Sequence, residues 1–429
     1  MDPSGPAGTP GPDGLPPTRL RPPWPSLVLA LLPVAAASVL PLPGCGGSDL
    51  GPSVVVQDSA GVTLTHSRAP EWDEGEEWRL ASEPRLEIGA GEGPREELLS
   101  RIQNAFPLSD GRIVVGNTSS PPEVRVYGSD GEYLQTLGGA GQGPGEFLMV
   151  TRIHRMAGDT VAVFDFPSSR VTRFPPDGGP PETSFWDAIG ETEFRQWVPW
   201  GMFQDGTFLV RPNQIFPPDA RDRGRHQAEL ARIDQHGTLL ARMGPFPAAE
   251  YDARNPDPGS RGLIHFGIRD AFHAHGDRLY VGAGDRFRIN VHDLEGRLVR
   301  GFSREYERPR VTARDLDEEL ARALEQQADP AARDRIRRRW EGLAAAERFP
   351  AHGTRMVVDT GGNVWVEHHF HEGLDARTWS VFDPEGRWLG EVGVPSRLRI
   401  TWIGNDEVMG AWTDELDVPS VRVYRLEGR

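Results

Sequence analysis

The sequence predicts an all-β fold, a six-bladed β-propeller whose last blade is completed by a strand from the N-terminal side. Six times along the chain, a turn marked by glycine precedes a short apolar strand, and a second strand and another glycine turn follow. A Gly-Pro motif recurs at residues 88–98 and 137–148, with Pro94 and Pro144 lying 50 positions apart, about one blade. Repetition of one small β unit is typical of a radial propeller.

The strands predicted in each repeat follow one another in a regular order. The first strand of each pair covers residues 112–115, 160–164, 207–210, 278–281, 363–366 and 407–411. The second covers residues 124–127, 171–174, 231–234, 288–291, 379–382 and 421–424. The last repeat has three strands and then ends at Arg429, so we expect residues 85–88 to pair beside 421–424 and close the ring.

Three segments are predicted along the chain. Residues 1–45 read as a signal peptide with a lipobox, and residues 46–77 as a tether with an isolated β-hairpin. Residues 78–429 form the propeller, which carries an insertion at 311–348.

The insertion is predicted to be a helical hairpin. Apolar residues at helical spacing follow Asp315, and Asp329-Pro330 reads as an N-cap followed by the first helical residue. The hairpin would either lie over the variable face defined below or pack on the rim of its own blade; the sequence leaves both open.

Three stretches carry a resemblance to a known family: residues 54–62 (VVVQDSAGV), 141–147 (GQGPGEF) and 158–161 (GDTV). They resemble exported bacterial six-bladed β-propeller lipoproteins of NHL-like type, over roughly residues 54–429. The resemblance implies the fold and a location in the cell envelope. It specifies almost nothing about which activity the protein has.

Composition excludes several functions. The formal net charge of −16 argues against a nucleic-acid partner, which would need a basic face. All 47 basic residues are arginine, so Schiff-base and lysine general-base mechanisms are excluded.

The only cysteine is Cys45, which follows an apolar run at residues 27–42 with Arg19 and Arg21 before it. This arrangement predicts export and lipidation of Cys45, and Gly46 at the next position favours an outer-membrane lipoprotein, periplasmic or at the cell surface. A signal peptide without lipidation and a short membrane anchor are the alternatives.

The long connections of the predicted propeller all emerge on one side. These are the connections between the second and third strands of a blade, counted from its innermost strand, and those from an outer strand to the next blade. We call this side the variable face. Long loops on a rigid scaffold are the usual place for binding. The ligand-binding residues predicted there are Asn117, Asp165, Arg211, His352, Glu367, His368 and Trp412.

Histidines after the strand at 363–366 suggest a metal. His369 and His371 would share one side of an extended strand, where neutral imidazoles can bind a transition metal. Carboxylate and amide oxygens around the channel could instead hold calcium, as in SMP-30-like lactonases of similar architecture. No cofactor is certain; a divalent metal, zinc or calcium, is the candidate.

Two functions follow. The first is a membrane-tethered propeller that binds a protein, peptide or glycan through its variable face, without catalysis. The alternative is a metal-dependent lyase or hydrolase of NHL/SMP-30-like type that uses the same face.

Overall fold

The computed structural model describes residues 52–118, 121–185, 197–212, 220–255, 261–369 and 375–429. The all-β prediction and the six blades are confirmed: six antiparallel sheets of successive chain segments surround a central channel. Four strands precede the first complete blade: β1 (Val54–Ser59), β2 (Val62–Ser67), β3 (Arg79–Leu80) and β4 (Leu86–Ile88).

The first three blades are numbered in chain order. Blade 1 consists of β5 (Ile102–Pro107), β6 (Ile113–Asn117), β7 (Glu123–Tyr127) and β8 (Tyr133–Leu137). The short strands β9 (Gly139–Ala140) and β10 (Glu146–Phe147) pair in parallel and lead to blade 2. Blade 2 consists of β11 (Arg152–Arg155), β12 (Val161–Asp165), β13 (Arg170–Phe174) and β14 (Glu182–Phe185), with a 3-10 turn at Ala157–Asp159. Blade 3 consists of β15 (Trp197–Met202), β16 (Phe208–Pro212), β17 (Arg223–Ile233), β18 (Leu239–Asp252) and β19 (Gly262–Leu263).

The remaining blades flank the helices. Blade 4 consists of β20 (Ala271–His275), β21 (Arg278–Gly282), β22 (Arg288–His292) and β23 (Leu298–Arg304), followed by α1 (Ala313–Glu325) and α2 (Pro330–Gly342). Blade 5 consists of β24 (Met356–Val358), β25 (Val364–Glu367), β26 (Ala376–Phe382) and β27 (Trp388–Pro395). Blade 6 contains β28 (Leu398–Ile403), β29 (Glu407–Thr413) and β30 (Pro419–Glu427).

The predicted ring closure is confirmed. Strand β4 pairs antiparallel with β30, so that Ile88 lies opposite Val421 and Glu87 opposite Arg422. Strand β3 pairs with the end of β30 as well. The two ends of the propeller sequence therefore share one sheet, which covers the edge that an unfinished blade would expose.

The N-terminal hairpin forms as predicted, but the expectation that it is isolated is wrong. Strand β2 pairs in parallel with β23 and extends blade 4, with Thr65 opposite Phe302. Thr65 and Ser67 are buried there. The reason is physical: the outer strand of a blade presents unpaired N–H and C=O groups, and the hairpin satisfies them.

Apolar side chains fill the spaces between neighbouring blades. Between blades 5 and 6, the cluster contains Trp365 and Trp379, both fully buried, together with Leu398 and Tyr424. Burial of indole rings of this size dominates the energetics of such contacts. The packing fixes each blade relative to the next one.

The innermost strands β5, β11, β15, β20, β24 and β28 each contact the innermost strands on either side, which closes a ring around the channel. On the variable face, these strands begin where the long connections end. The opposite side, which carries the turns between first and second and between third and fourth strands, is called the constant face.

The helical hairpin is confirmed with a small shift at its start. Helix α1 begins at Ala313, because Thr312 forms a capping box with Asp315 instead of Asp315 starting the helix. Asp329 caps α2 and Pro330 is its first residue, as predicted. Neither helix of the described ranges is long and apolar enough to span a membrane.

Candidate functional site

A pocket of about 430 Å³ opens on the variable face beside helix α1. Four parts of the chain line it: the connection from blade 3 to blade 4, helix α1, the segment that leads into blade 5, and the region around the second connection of blade 5. The lining residues are Phe266, Gly267, Arg269, Glu319, Arg322, Pro350, His352, Gly353, Thr354, Arg355, His369 and Arg377. Its size is that of a small-ligand site.

Helix α1 covers one side of this pocket. Glu319 and Arg322 are one turn apart and form an ion pair of 3.0 Å on the helix surface that faces the pocket. In the second helix, the Trp340 ring lies 3.7 Å from the ring of His265, between centroids. Of the two placements left open by the sequence, the structure shows the insertion over the variable face.

The base of the insertion is held by backbone hydrogen bonds. The N–H of Val311 donates to the carbonyl oxygen of Glu347 at 3.0 Å. Ala346 donates to His265, and His265 donates to Ala344, both at 2.9 Å. The base of the helical hairpin is therefore bonded to the connection between blades 3 and 4, through His265, as well as to the other segments of its own connection.

Arginines dominate the polar lining of the pocket. Arg269 donates to three backbone carbonyls, those of Ile264, Gly267 and Ile268. Arg377 pairs with Glu367 at 3.1 Å. Arg355 differs, because its buried Nη1 has no hydrogen-bond partner among the described residues.

His352 lines the pocket but is held within the fold. Its Nε2 accepts from the N–H of Gly284 at 3.0 Å, and its Nδ1 lies 2.8 Å from the carbonyl oxygen of Gly353. Burial lowers its pKa, so the ring is neutral at neutral pH. Gly282 leaves room for it, since a Cβ there would come within 2.4 Å of the ring.

The histidines after β25 diverge. His368 points into the interface between blades 4 and 5, where its Nε2 lies 2.8 Å from Ser380 Oγ. Burial, together with the charges of Arg304 and His352, lowers its pKa to about 3. His369 turns to the pocket and stacks on Phe349, with the ring centroids 4.9 Å apart. His371, its predicted metal partner, lies outside the described residues.

Asn117 and Asp165 occupy equivalent positions, each at the end of the second strand of a blade. Asn117 Oδ1 accepts from the N–H groups of Ser100 and Arg101, both at 3.2 Å. Asp165 accepts from the N–H groups of Leu148 (2.8 Å) and Met149 (3.3 Å). Both side chains thereby hold the incoming connection against the blade, at a distance from the pocket.

The other predicted residues lie around the same face without lining this pocket. Arg211 pairs with the buried Asp270, and its guanidinium lies 4.6 Å from the Trp200 ring. Glu367 is buried and paired with the pocket residue Arg377. Trp412 is covered by Arg422 at 4.0 Å. The structure therefore brings His352, Glu367 and His369 together, and leaves Asn117, Asp165, Arg211 and Trp412 elsewhere on the rim.

Sequence reasoning missed the arginines. Arg152 is the first residue of β11, Arg355 immediately precedes β24, and Arg399 is the second residue of β28. Arginine at the start of three innermost strands is a signal present in the sequence. It could have been found by aligning the repeats on their first strands instead of their second.

The described part of the chain offers few side chains that could bind a metal together. There, no group of three or more His, Cys, Asp or Glu side chains is close enough to hold a metal ion. His369 is the one predicted ligand that the structure describes. The fold and pocket together define a propeller with a polar, ligand-sized cavity on its variable face.

Comparisons with known proteins identify no family for this chain. No family model matches the sequence, and no curated protein matches it. Similar solved structures include a Bacteroides fragilis protein thought to be exported, at 10% identity over 84% of this chain and 98% of that chain, with a TM-score of 0.46. A Bacteroides vulgatus member of a domain family of unknown function is 11% identical over 82% and 99%, with a TM-score of 0.47. The calcium-binding protein regucalcin of Agrobacterium tumefaciens is 9% identical over 82% and 96%, with a TM-score of 0.38.

Proposed function

We propose that this protein is an exported, membrane-tethered propeller that binds a protein, peptide or glycan through its variable face. The observation that carries the proposal is the pocket beside α1, which is built from connections of three blades. Binding sites are commonly formed by loops that a rigid scaffold positions. The packed blades supply that scaffold, and the helical insertion gives the site a wall of its own.

The pocket suits a polar ligand. Guanidinium groups of Arg269, Arg355 and Arg377 line it, and Phe266 adds an aromatic surface. Arginine and aromatic side chains are the residue types enriched where binding energy concentrates. The anchored root of the insertion means that little of the pocket wall has to be ordered when a ligand arrives.

The tether is proposed to be a lipid on Cys45. It is supported by the apolar run before this cysteine and by the arginines before the run. The Cys45→Ser variant should then leave the membrane fraction, and the N-terminal peptide of the wild type should carry the mass of a lipid. A variant that stays with the membrane would contradict the tether but not the binding site.

A pair of matched variants tests the binding site. Thr354 is exposed and lines the pocket, whereas Thr360 is exposed on the constant face of the same blade. We would screen the wild type on arrays of bacterial glycans and peptides and measure the affinity of each hit. Thr354→Trp fills the pocket and should weaken binding about tenfold or more, while Thr360→Trp should leave it unchanged. Equal affinities for both variants, or no hit for the wild type, would overturn the proposal.

The alternative function, a metal-dependent lyase or hydrolase, has one candidate ligand in this pocket, His369. Metal analysis of protein purified without an affinity tag tests it on the same preparation. A stoichiometric divalent metal that is lost in His369→Ala would favour the alternative over simple binding.

A further inference from the structure

Three arginines from three different blades meet at the mouth of the central channel. Arg152, Arg355 and Arg399 stand where the innermost strands of blades 2, 5 and 6 begin on the variable face. These positions are equivalent in the blades, so they lie at about the same height around the channel. Arg399 also reaches blade 1, where its Nη2 donates to the carbonyl oxygen of Ile102 at 2.6 Å.

None of the three forms an ion pair with a carboxylate among the described residues, although the charge of Glu367 acts on Arg355 from a greater distance. Arg152 donates to the carbonyl oxygen of Thr151 at 3.1 Å and approaches the ring of Trp200 at 5.9 Å. Arg355 leaves its buried Nη1 without any partner in the described ranges. Arg211, on the same face, is by contrast paired with the buried Asp270.

The charges of Arg152 and Arg355 act on Arg399. Burial, and then the charges of Arg355 and Arg152, lower the pKa of Arg399 to about 10. Burial likewise lowers the pKa of Arg152 and of Arg355. All three remain protonated at neutral pH, so three cations share a partly desolvated space. Such an arrangement is unfavourable until an anion enters it.

A further polar atom lies below this layer. His154 is two residues along β11 from Arg152 and therefore projects on the same side of that strand. Its Nε2 is buried and has no partner among the described residues. It can donate a hydrogen bond to a group that reaches down the channel.

We propose that Arg152, Arg355 and Arg399 form an oxyanion-binding site at the channel mouth, which takes a carboxylate, sulfate or phosphate group of the ligand. The proposal rests on the proposed function, because Arg355 lines both the channel mouth and the pocket beside α1. Guanidinium groups suit this chemistry, since each presents two parallel N–H donors to an oxyanion. The ligand of the variable face is then an acidic one.

The test measures binding of inorganic phosphate, sulfate and succinate by calorimetry, each against sodium chloride at equal ionic strength. At least one of them should bind with one-to-one stoichiometry. Arg399→Gln and Arg152→Gln should each weaken binding about tenfold or more, the loss expected for a charged hydrogen bond. Arg278→Gln removes the same charge on the constant face, where Arg278 pairs with Asp277, and should change nothing.

A second variant guards against misfolding. Arg355 makes no hydrogen bond to the described protein through its buried Nη1, so Arg355→Gln should fold and still lose the anion. The order of the three probes identifies the source: succinate first indicates a carboxylate, sulfate or phosphate first indicates an ester of that acid. Absence of binding by any oxyanion beyond chloride, or unchanged binding in the Arg399 and Arg152 variants, overturns the site. Array hits that discriminate Thr354→Trp from Thr360→Trp would in that case leave the proposed function standing.

Discussion

Arginine has two different roles in this protein, one structural and one proposed for binding. The ion pairs of each arginine distinguish the two roles. Arg304 is held between the rings of Phe287 (4.6 Å) and Trp388 (4.1 Å) and pairs with Glu391 at 2.6 Å. It joins blades 4 and 5, and its Nη1 is engaged by the carboxylate of Glu391. Arg355 and Arg399 form no ion pair with a carboxylate among the described residues, and Nη1 of Arg355 has no hydrogen-bond partner there. Burial of a charge without a partner costs free energy, and proteins tolerate that cost mainly at functional sites.

The histidines make a prediction about pH. Burial lowers the pKa of His154 to about 4, and that of His273 to about 3, while the unfolded chain keeps a value near 6.5. The unfolded state therefore binds more protons below pH 6.5, and stability is lost as the pH falls from about 6.5 towards 4. Each of the two histidines should lower the unfolding free energy by about 1 to 2 kcal/mol between pH 7.5 and pH 5.

Urea unfolding at pH 7.5 and pH 5 measures this effect. His154→Asn should show a smaller difference in unfolding free energy between the two pH values than the wild type does. His236 is exposed, and His236→Asn serves as the control that keeps the full difference. A wild-type protein as stable at pH 5 as at pH 7.5 would contradict neutral, buried histidines.

At the scale of structural elements, the repeated Gly-Pro motif has a physical explanation. In the first copy, the carbonyl oxygens of Glu96 and Leu98 accept hydrogen bonds from Nη1 of Arg125, at 3.1 Å and 2.8 Å. In the second copy, the carbonyl oxygens of Gln142 and Glu146 accept from Arg170, at 2.8 Å and 2.9 Å. In both blades, a buried arginine of the third strand captures the backbone of the connection that enters the blade.

Loss of one such arginine should be costly. Arg170→Met removes the donors to three carbonyls, those of Gly141, Gln142 and Glu146, and leaves the buried Asp165 without its cation, 3.2 Å away. We expect the unfolding free energy to fall by about 3 kcal/mol or more. Arg242→Met, which breaks an exposed pair with Glu229, should change it by less than about 1 kcal/mol. Similar losses of unfolding free energy in both variants by urea titration would show that the hydrogen bonds from the third-strand arginine are not the reason for the motif.

These elements also show what the sequence could and could not reveal. Glycine turns and strand periodicity are local signals, so the blades, the closure by residues 85–88 and the Asp329-Pro330 helix start were predictable. The pairing of β2 with β23 was not, because it depends on which blade edge is free, and no repeat in the sequence indicates that. The arginines at the channel mouth were missed for a different reason: they recur at the start of innermost strands, whereas the glycine turns that mark the repeats align the second and third strands of the blades.

At the scale of the whole molecule, the ring is closed by non-covalent pairing of β4 with β30. Glu87 and Arg422 lie opposite each other in this pairing and form an ion pair of 3.0 Å. The double variant Glu87→Cys, Arg422→Cys, in a chain with Cys45→Ser, should form one intramolecular disulfide. Because this bond closes a very long loop, it should raise the unfolding free energy, by up to about 5 kcal/mol.

The measurement is the urea midpoint with and without reductant, together with migration on a non-reducing gel. The reduced double variant is its own control, since it differs from the oxidised form by the one bond. A chain that forms only intermolecular disulfides would contradict the closure, and with it the arrangement of all innermost strands around one channel.

The convergence of three blades on one anion is the claim on which the functional account depends most. Crystals exposed to low millimolar selenate, with anomalous diffraction at the selenium edge, test it directly. The account predicts a selenium peak within hydrogen-bond reach of Arg152, Arg355 and Arg399 at the channel mouth, absent in Arg399→Gln. A channel mouth empty of selenium in the wild type, or a peak there that the substitution leaves unchanged, would contradict it.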